Sequence, residues 1–246
     1  PSPATISERA SAQFKRMTLE LGGKSPQIIC EDADLDEVIP TAAASLFANQ
    51  GEICAAATRV FVHESLVDEV VRRLAEVASA IRVGDPFDPQ TEMGTLINER
   101  QLKSVLGYVE AGQREGAKLV AGGQRLERTG YFMQPTVFVG LNSMTIAREE
   151  IFGPVGTVIP FTNMDDAIAQ ANDSVYGLTA VVWTQDLRRA ITAASAIRAG
   201  SVWINGWGRP DPRVSWGGVR TSGVGRELGL EGLHGNTEEK VVHVIL

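Results

Sequence analysis

Short apolar runs alternate along the chain with longer segments of helical period, and the alternation starts near residue 26. Residues 26–30 (Pro-Gln-Ile-Ile-Cys) read as a short buried strand, and Asp34 reads as the N-cap of a helix from Leu35 to Asn49. Pro40 predicts a kink or a restart within that helix, because proline is tolerated only in a first turn. Arg59–His63 has strand composition. Ser65 with Asp68 predicts the start of a helix to about Ile81, with Leu66, Val70, Leu74 and Val77 on one face. Residues 84–89 read as loop, 100–115 as helix, and 118–121 as a strand ended by Gly122-Gly123. Further on, residues 155–161, 177–183 and 201–205 read as strands, with helices over 165–171 and 186–199 between them.

Strands alternating with helices predict an α/β fold with three layers: a mostly parallel sheet covered by helices on both faces. No repeat, heptad pattern or low-complexity linker interrupts the run. One principal domain is therefore expected over residues 20–230, after a polar lead-in at residues 1–19. Residues 231–246 form a tail whose apolar, β-prone end at 240–246 needs a strand edge to pair with, supplied by another subunit. The chain begins Pro1-Ser2-Pro3 with no Met, and it is expected to be a piece of a longer protein.

Composition narrows the class. With 246 residues, 23 Lys+Arg against 30 Asp+Glu and a net charge of −7, the chain can bury a sizeable core and lacks the basic footprint of a nucleic-acid binder. No apolar stretch approaches the ~20 residues needed to span a bilayer. The two cysteines, Cys30 and Cys54, show neither metal-ligand spacing nor a disulfide framework, so no metal and a reducing, cytoplasmic setting are expected.

Four segments could carry chemistry. Cys54 lies in Asn49-Gln-Gly-Glu-Ile-Cys-Ala-Ala-Ala-Thr58, where small neighbours leave room for a substrate and a backbone terminus would lower the thiol pKa. A cysteine among alanines also reads as a small buried hydrophobe. Glu20, in Met17-Thr-Leu-Glu-Leu-Gly-Gly-Lys-Ser-Pro26, is a general-base candidate if burial raises its pKa, or else a strand-edge carboxylate that faces solvent or pairs with Lys24. Glu149-Glu-Ile-Phe-Gly-Pro154 offers paired acids, able to share a proton or accept from vicinal hydroxyls, and an aromatic that can lie against a flat ring; it also reads as a solvated acidic turn with a core phenylalanine. The glycine-rich run from Ser215-Trp-Gly-Gly to Gly229 follows no suitable strand, so it is a poor phosphate cradle.

Together, and in this order, the four segments resemble those of the aldehyde dehydrogenase superfamily over residues 7–246. The resemblance implies Cys54 as the nucleophile, Glu20 as the deacylation base, Glu150 as the ligand of the nicotinamide-ribose hydroxyls of NAD (NADP being the alternative), and Phe152 as the residue near the nicotinamide ring. It implies oxidation of an aldehyde to a carboxylic acid through a thiohemiacetal and a thioester, in a homo-oligomer, dimer or tetramer. Family members are roughly twice this long, and their dinucleotide-binding domain, with a side-chain amide that helps bind the oxyanion, precedes the Leu-Glu-Leu-Gly-Gly segment. Little or no dehydrogenase turnover is therefore expected of this chain alone. A cofactor-independent thiol esterase or hydrolase and a non-catalytic assembly module are the competing readings. Ser215 departs from the family's proline. Trp216 takes a position that resembles part of the family's substrate tunnel, and Trp207 is nearby in sequence; tryptophan there favours aromatic or cationic aldehydes.

Overall fold

A computed structural model describes residues 2–208 and 210–246; Pro1, on which the expectation about the chain's start partly rests, and Arg209 lie outside the described residues. Seven strands form one sheet in the order β4-β5-β6-β3-β2-β7-β8. These are β2 (Pro26–Ile29), β3 (Arg59–His63), β4 (Lys118–Ala121), β5 (Thr136–Val139), β6 (Val155–Phe161), β7 (Thr179–Trp183) and β8 (Ser201–Ile204). Every pairing is parallel except β4 with β5. The central strands β2, β3, β6 and β7 are buried on both faces, which is why they show no strict alternation of apolar and polar positions.

Helices cover the sheet on either side. α2 (Leu35–Phe47) and α3 (Val67–Ala80) pack one face through Val38, Ala42, Leu46, Val70 and Leu74 against Val60, Val62 and Val158. On the other face, residues of α6 (Met164–Asn172) and α7 (Leu187–Ala196) cluster with Ile28, Phe61, Ile159 and Val182. A third cluster joins α4 (Glu99–Arg114) and α5 (Thr145–Arg148) to Phe138 and Val155. The α/β, mostly parallel, helix-flanked architecture read from the sequence is the one observed. Among the described residues no helix is long and apolar enough to cross a membrane.

Local differences have physical causes. Pro40 neither breaks nor restarts α2, which runs as one element from its cap, where Asp34 Oδ1 accepts from Asp36 N–H at 3.0 Å. The helix instead ends at Phe47, because Asn49, Gln50 and Gly51 all adopt left-handed backbone angles. Ser65 does not cap α3. It lies in a 3₁₀ turn, Glu64–Leu66, and meets the ring of His63 (Nδ1 to Oγ, 2.8 Å), so the cap position passes to Leu66 and α3 begins at Val67, one residue later than Ser65 predicts. The lead-in is a helix, α1 (Ser2–Ser11), with proline in its first turn, where a missing N–H costs nothing. β5 and α5 have no counterpart in the sequence reading. Neither has the two-stranded sheet of β1 (Leu19–Glu20) with β9 (Gly223–Val224), which is followed by the short helix α8 (Gly229–Gly235). Residues 237–246 take no helix or strand conformation in the single chain, and Val241, Val242, Val244, Ile245 and Leu246 are all exposed.

Leu46 is fully buried, and its methyls lie against the bare Cα of Gly156 in β6. Leu46→Ala is expected to lower unfolding stability by about 2–5 kcal/mol, read by urea denaturation. A loss below 1 kcal/mol would mean that α2 is not fixed to the sheet at this point.

Candidate active site

Three of the four segments singled out from the sequence enter strands of the parallel sheet at the same end. Residues 20–25 lead into β2, 49–58 into β3, and 149–154 into β6. Their loops are brought together because the strands they feed lie side by side.

Glu20 ends β1, opposite Gly223 of β9. Its Oε1 accepts from Gly218 N–H at 3.2 Å, and its Oε2 is buried without a hydrogen-bond partner. Burial raises the Glu20 pKa, Glu227 adds to the shift, and Gly218 N–H, the Trp216 side chain and Arg226 oppose it. Glu20 therefore neither faces solvent nor pairs with Lys24, whose side chain turns inward and is only 2% exposed. Burial and the nearby Arg59 push the Lys24 pKa down to about 7, against the pull of Glu150 and Glu149.

Next comes the Gly22-Gly23 turn. Gly23 N–H donates to Glu150 Oε1 at 3.0 Å, and a Cβ on Gly22 would collide with the Glu150 carboxylate. A Cβ on Gly23 would lie 2.6 Å from the Cys54 carbonyl oxygen. The double glycine thus seats Glu150 on one side and the Cys54 backbone on the other. A second close approach links these two loops directly: Gly51, at φ +69°, lies against the Gly153 carbonyl with no room for a side chain.

Cys54 is half-buried. Its pKa is raised, contrary to the expectation of an activating backbone terminus. The Ala55 and Cys54 amides do act to lower it, but burial outweighs them, and the carboxylates of Glu150 and Glu20 add to the rise. The adjoining Ala55 carbonyl accepts from Trp207 Nε1 (3.2 Å) and Thr179 Oγ1 (3.3 Å). Trp207 is thus tied beside the thiol, while Trp216 lies near Glu20 and contacts Trp203 (ring centroids 6.0 Å apart).

Glu149 and Glu150 do not share a proton. Tyr108 OH donates to Glu149 Oε2 at 2.8 Å, whereas the Glu150 carboxyl turns to Gly23, because the backbone between them directs the two side chains to different walls. Burial raises the Glu150 pKa against the lowering effects of Gly23 N–H and Lys24. Phe152 is not a core residue; its backbone is left-handed (φ +53°) and it is 41% exposed. Several contributors were not legible in the sequence: Gly218, which holds Glu20 through its backbone; Trp203; and Gln101 and Tyr108 of α4, whose seven-residue spacing on one helical face is the signal that could have found them. Among the described residues, no three His, Cys, Asp or Glu side chains are grouped to hold a metal ion.

Removing the influence of the Glu150 carboxylate tests these electrostatics. The rate of Cys54 alkylation by iodoacetamide should rise with pH to an inflection above the ordinary thiol range, and Glu150→Gln should move the inflection to lower pH. Mass spectrometry separates this from Cys30, which is buried and pushed up to about 11. An unmoved inflection would refute a through-space effect of Glu150. Gly22→Ala should cost about 1–3 kcal/mol of stability in urea, whereas Gly107→Ala, in α4 with open space around it, should be neutral or stabilising.

Comparison with known proteins gives one consistent picture. A family model described as "Aldehyde dehydrogenase family" matches residues 3–242. The mitochondrial aldehyde dehydrogenase of Rattus norvegicus is 48% identical over 235 residues, which are 95% of this chain and 45% of that protein. An aldehyde dehydrogenase from Bacillus cereus, solved as an NAD+ complex, superposes with a TM-score of 0.93 at 44% identity, over 96% of this chain and 48% of that one. Betaine aldehyde dehydrogenase from Staphylococcus aureus, also in complex with NAD+, gives 0.92 at 37% identity, over 95% and 47%. The chain spans about half the length of the relatives it matches.

Proposed function

The chain belongs to the aldehyde dehydrogenase family, and from that premise we propose that it is the catalytic portion of an NAD(P)-dependent enzyme oxidising an aldehyde to a carboxylic acid. The observation that carries this reading is the Gly22-Gly23 turn, which joins the backbone of a half-buried thiol, a base with one unpartnered buried oxygen, and a carboxylate with one oxygen bound and the other free.

In this reading Cys54, as the thiolate, adds to the aldehyde carbonyl carbon and forms a thiohemiacetal. The Cys54 and Ala55 amides, which already act on the sulfur, favour negative charge beside it. When bound, a nicotinamide dinucleotide would supply a hydride acceptor, the oxidant that conversion of the thiohemiacetal to a thioester requires. Glu20 then takes a proton from water as the water attacks the thioester, releasing the carboxylic acid and regenerating Cys54. Its raised pKa suits a group that must accept a proton and return it near neutral pH. Glu150 fits the dinucleotide's ribose hydroxyls: Oε1 is fixed by Gly23 N–H, Oε2 lies over a residue without a side chain, and neither oxygen is neutralised by a direct salt bridge. Phe152, two residues further along the same turn, is exposed. Trp207 and Trp216 stand at the thiol and at the base respectively, which favours aromatic or cationic aldehydes.

In the same reading, residues 20–230 form the catalytic domain, 1–19 belong to a linker or the cofactor domain, and 231–246 carry the strand that pairs with another subunit in a dimer or tetramer. The exposed, unpaired apolar tail supports the last point. Both cysteines are free, which fits a reducing compartment such as the cytoplasm; several relatives are named as mitochondrial.

In the complete enzyme, Cys54→Ser should abolish aldehyde-dependent NADH formation. Glu20→Gln should retain a first-turnover burst of NADH while steady-state turnover falls about 10²–10⁴-fold. A Glu20→Gln enzyme turning over at the wild-type rate would remove Glu20 from its role. Wild-type deacylation should weaken as pH falls through the raised Glu20 pKa, because the protonated carboxyl cannot act as a base. Robust turnover by the 246-residue chain alone would show that it needs no further cofactor domain.

A further inference from the structure

The turn that carries Glu150 and Phe152 lies along a single face of α4. Gln101, Val105 and Tyr108, at helical spacings of four and three residues, meet it in sequence. Gln101 Nε2 donates to the Phe152 carbonyl at 2.7 Å and to the Ile151 carbonyl at 3.1 Å. The Val105 methyls lie against the bare Cα of Gly153, and Tyr108 OH binds the Glu149 carboxylate. Between these contacts Phe152 holds a left-handed backbone, a conformation that costs a non-glycine residue about 1 kcal/mol or more and persists only where neighbours enforce it.

We propose that Gln101 is a positioning residue for cofactor binding: by tying both carbonyls of the Ile151-Phe152 step to the first turn of α4, it fixes the left-handed turn and so sets where the Glu150 carboxylate and the Phe152 ring stand. The inference rests on the reading of Glu150 as a ribose ligand. The amide is suited to the task because its NH₂ group carries two donors, one for each carbonyl, and its place is fixed by the Asn98 cap, whose Oδ1 accepts from Gln101 N–H at 2.9 Å. The other walls of the turn do not replace it. Gly23 N–H holds the Glu150 side chain, Gly51 abuts the Gly153 carbonyl, and Tyr108 holds Glu149, but none of them touches the carbonyl of Phe152 itself.

The test uses the complete dehydrogenase with Gln101→Leu, Gln101→Glu and Glu150→Gln, titrated with NADH by fluorescence, together with amide hydrogen exchange over residues 150–154. Both Gln101 variants should weaken NADH binding about tenfold, as expected for two lost hydrogen bonds. They should speed exchange in the turn and show more of their defect in cofactor KM than in kcat. Gln101→Glu should recover affinity as pH falls through the carboxyl range, because the protonated acid regains one donor, while Gln101→Leu stays flat. Unchanged NADH affinity in the Gln101 variants, alongside a weakened Glu150→Gln enzyme, would overturn the proposal, and so would identical, pH-independent losses in the two Gln101 variants. If Glu150→Gln binds NADH normally, the ribose reading itself fails and the inference falls with it; that result is distinct because it appears in a variant with Gln101 intact.

Discussion

Everything in the site depends on how closely backbone can approach backbone at Gly22 and Gly23. One extra carbon on Gly22 would occupy the space of the Glu150 carboxylate, and one on Gly23 would press on the Cys54 carbonyl. Three loops that lie far apart in the chain therefore share one small volume only because side chains are missing at the shared point. The contact between Gly51 and the Gly153 carbonyl repeats the device between the second and third loops. A hydrogen bond can lengthen or rotate to absorb a perturbation, whereas a contact between packed backbones cannot. The relative placement of thiol, base and carboxylate is fixed by sterics first and by hydrogen bonds second.

Beneath this turn the structure carries an unusual electrostatic load. Arg59, at the entry of β3 and 2% exposed, donates to the carbonyls of Lys24, Gln170 and Ala171 and to Asn142 Oδ1, without a carboxylate against it. A guanidinium solvated by neutral oxygens still bears a desolvation cost, and its pKa falls to about 9 accordingly. The arrangement is nonetheless useful for position. Its Nε fixes the carbonyl of the residue that follows Gly23, its NH1 reaches Asn142 in the loop after β5 and the Gln170 carbonyl, and its NH2 reaches the Ala171 carbonyl, Gln170 and Ala171 both lying in the last turn of α6. Arg59 thus ties the entry ends of β2 and β3 to the loop after β5 and to the last turn of α6.

The central strands and the long helices were legible because burial on both faces and helical period leave direct marks on the sequence. The site was legible as four segments because each holds its residues within a few positions of one another. What the sequence did not disclose is long-range and backbone-borne. Glu20 meets Gly218 almost two hundred residues away through an N–H that every non-proline residue possesses. The Ser65 cap failed because a histidine ring one strand-end earlier competed for the same group. Glu149 and Glu150 read as a pair because they are adjacent, yet adjacent side chains point to different walls, and tertiary partners decide which.

The direction of the Cys54 pKa bears on the chemistry. A thiol made acidic by its surroundings is more often ionised but is a weaker nucleophile once ionised, since nucleophilicity falls with basicity. Here the amides of Cys54 and Ala55 pull the pKa down while burial, Glu150 and Glu20 push it up, and the upward push prevails. The resting group is accordingly the protonated thiol at neutral pH, a form that resists oxidation and metal capture. The thiolate, when formed, keeps its full basicity and stands between two carboxylates, so it gains by giving its charge to an electrophile. In the proposed reaction the carbonyl carbon of an aldehyde is that acceptor, and the sulfur then carries no charge in its new bond to carbon. On that reading, burial and the two carboxylates that oppose charge on the free sulfur no longer act against it once the carbon–sulfur bond has formed.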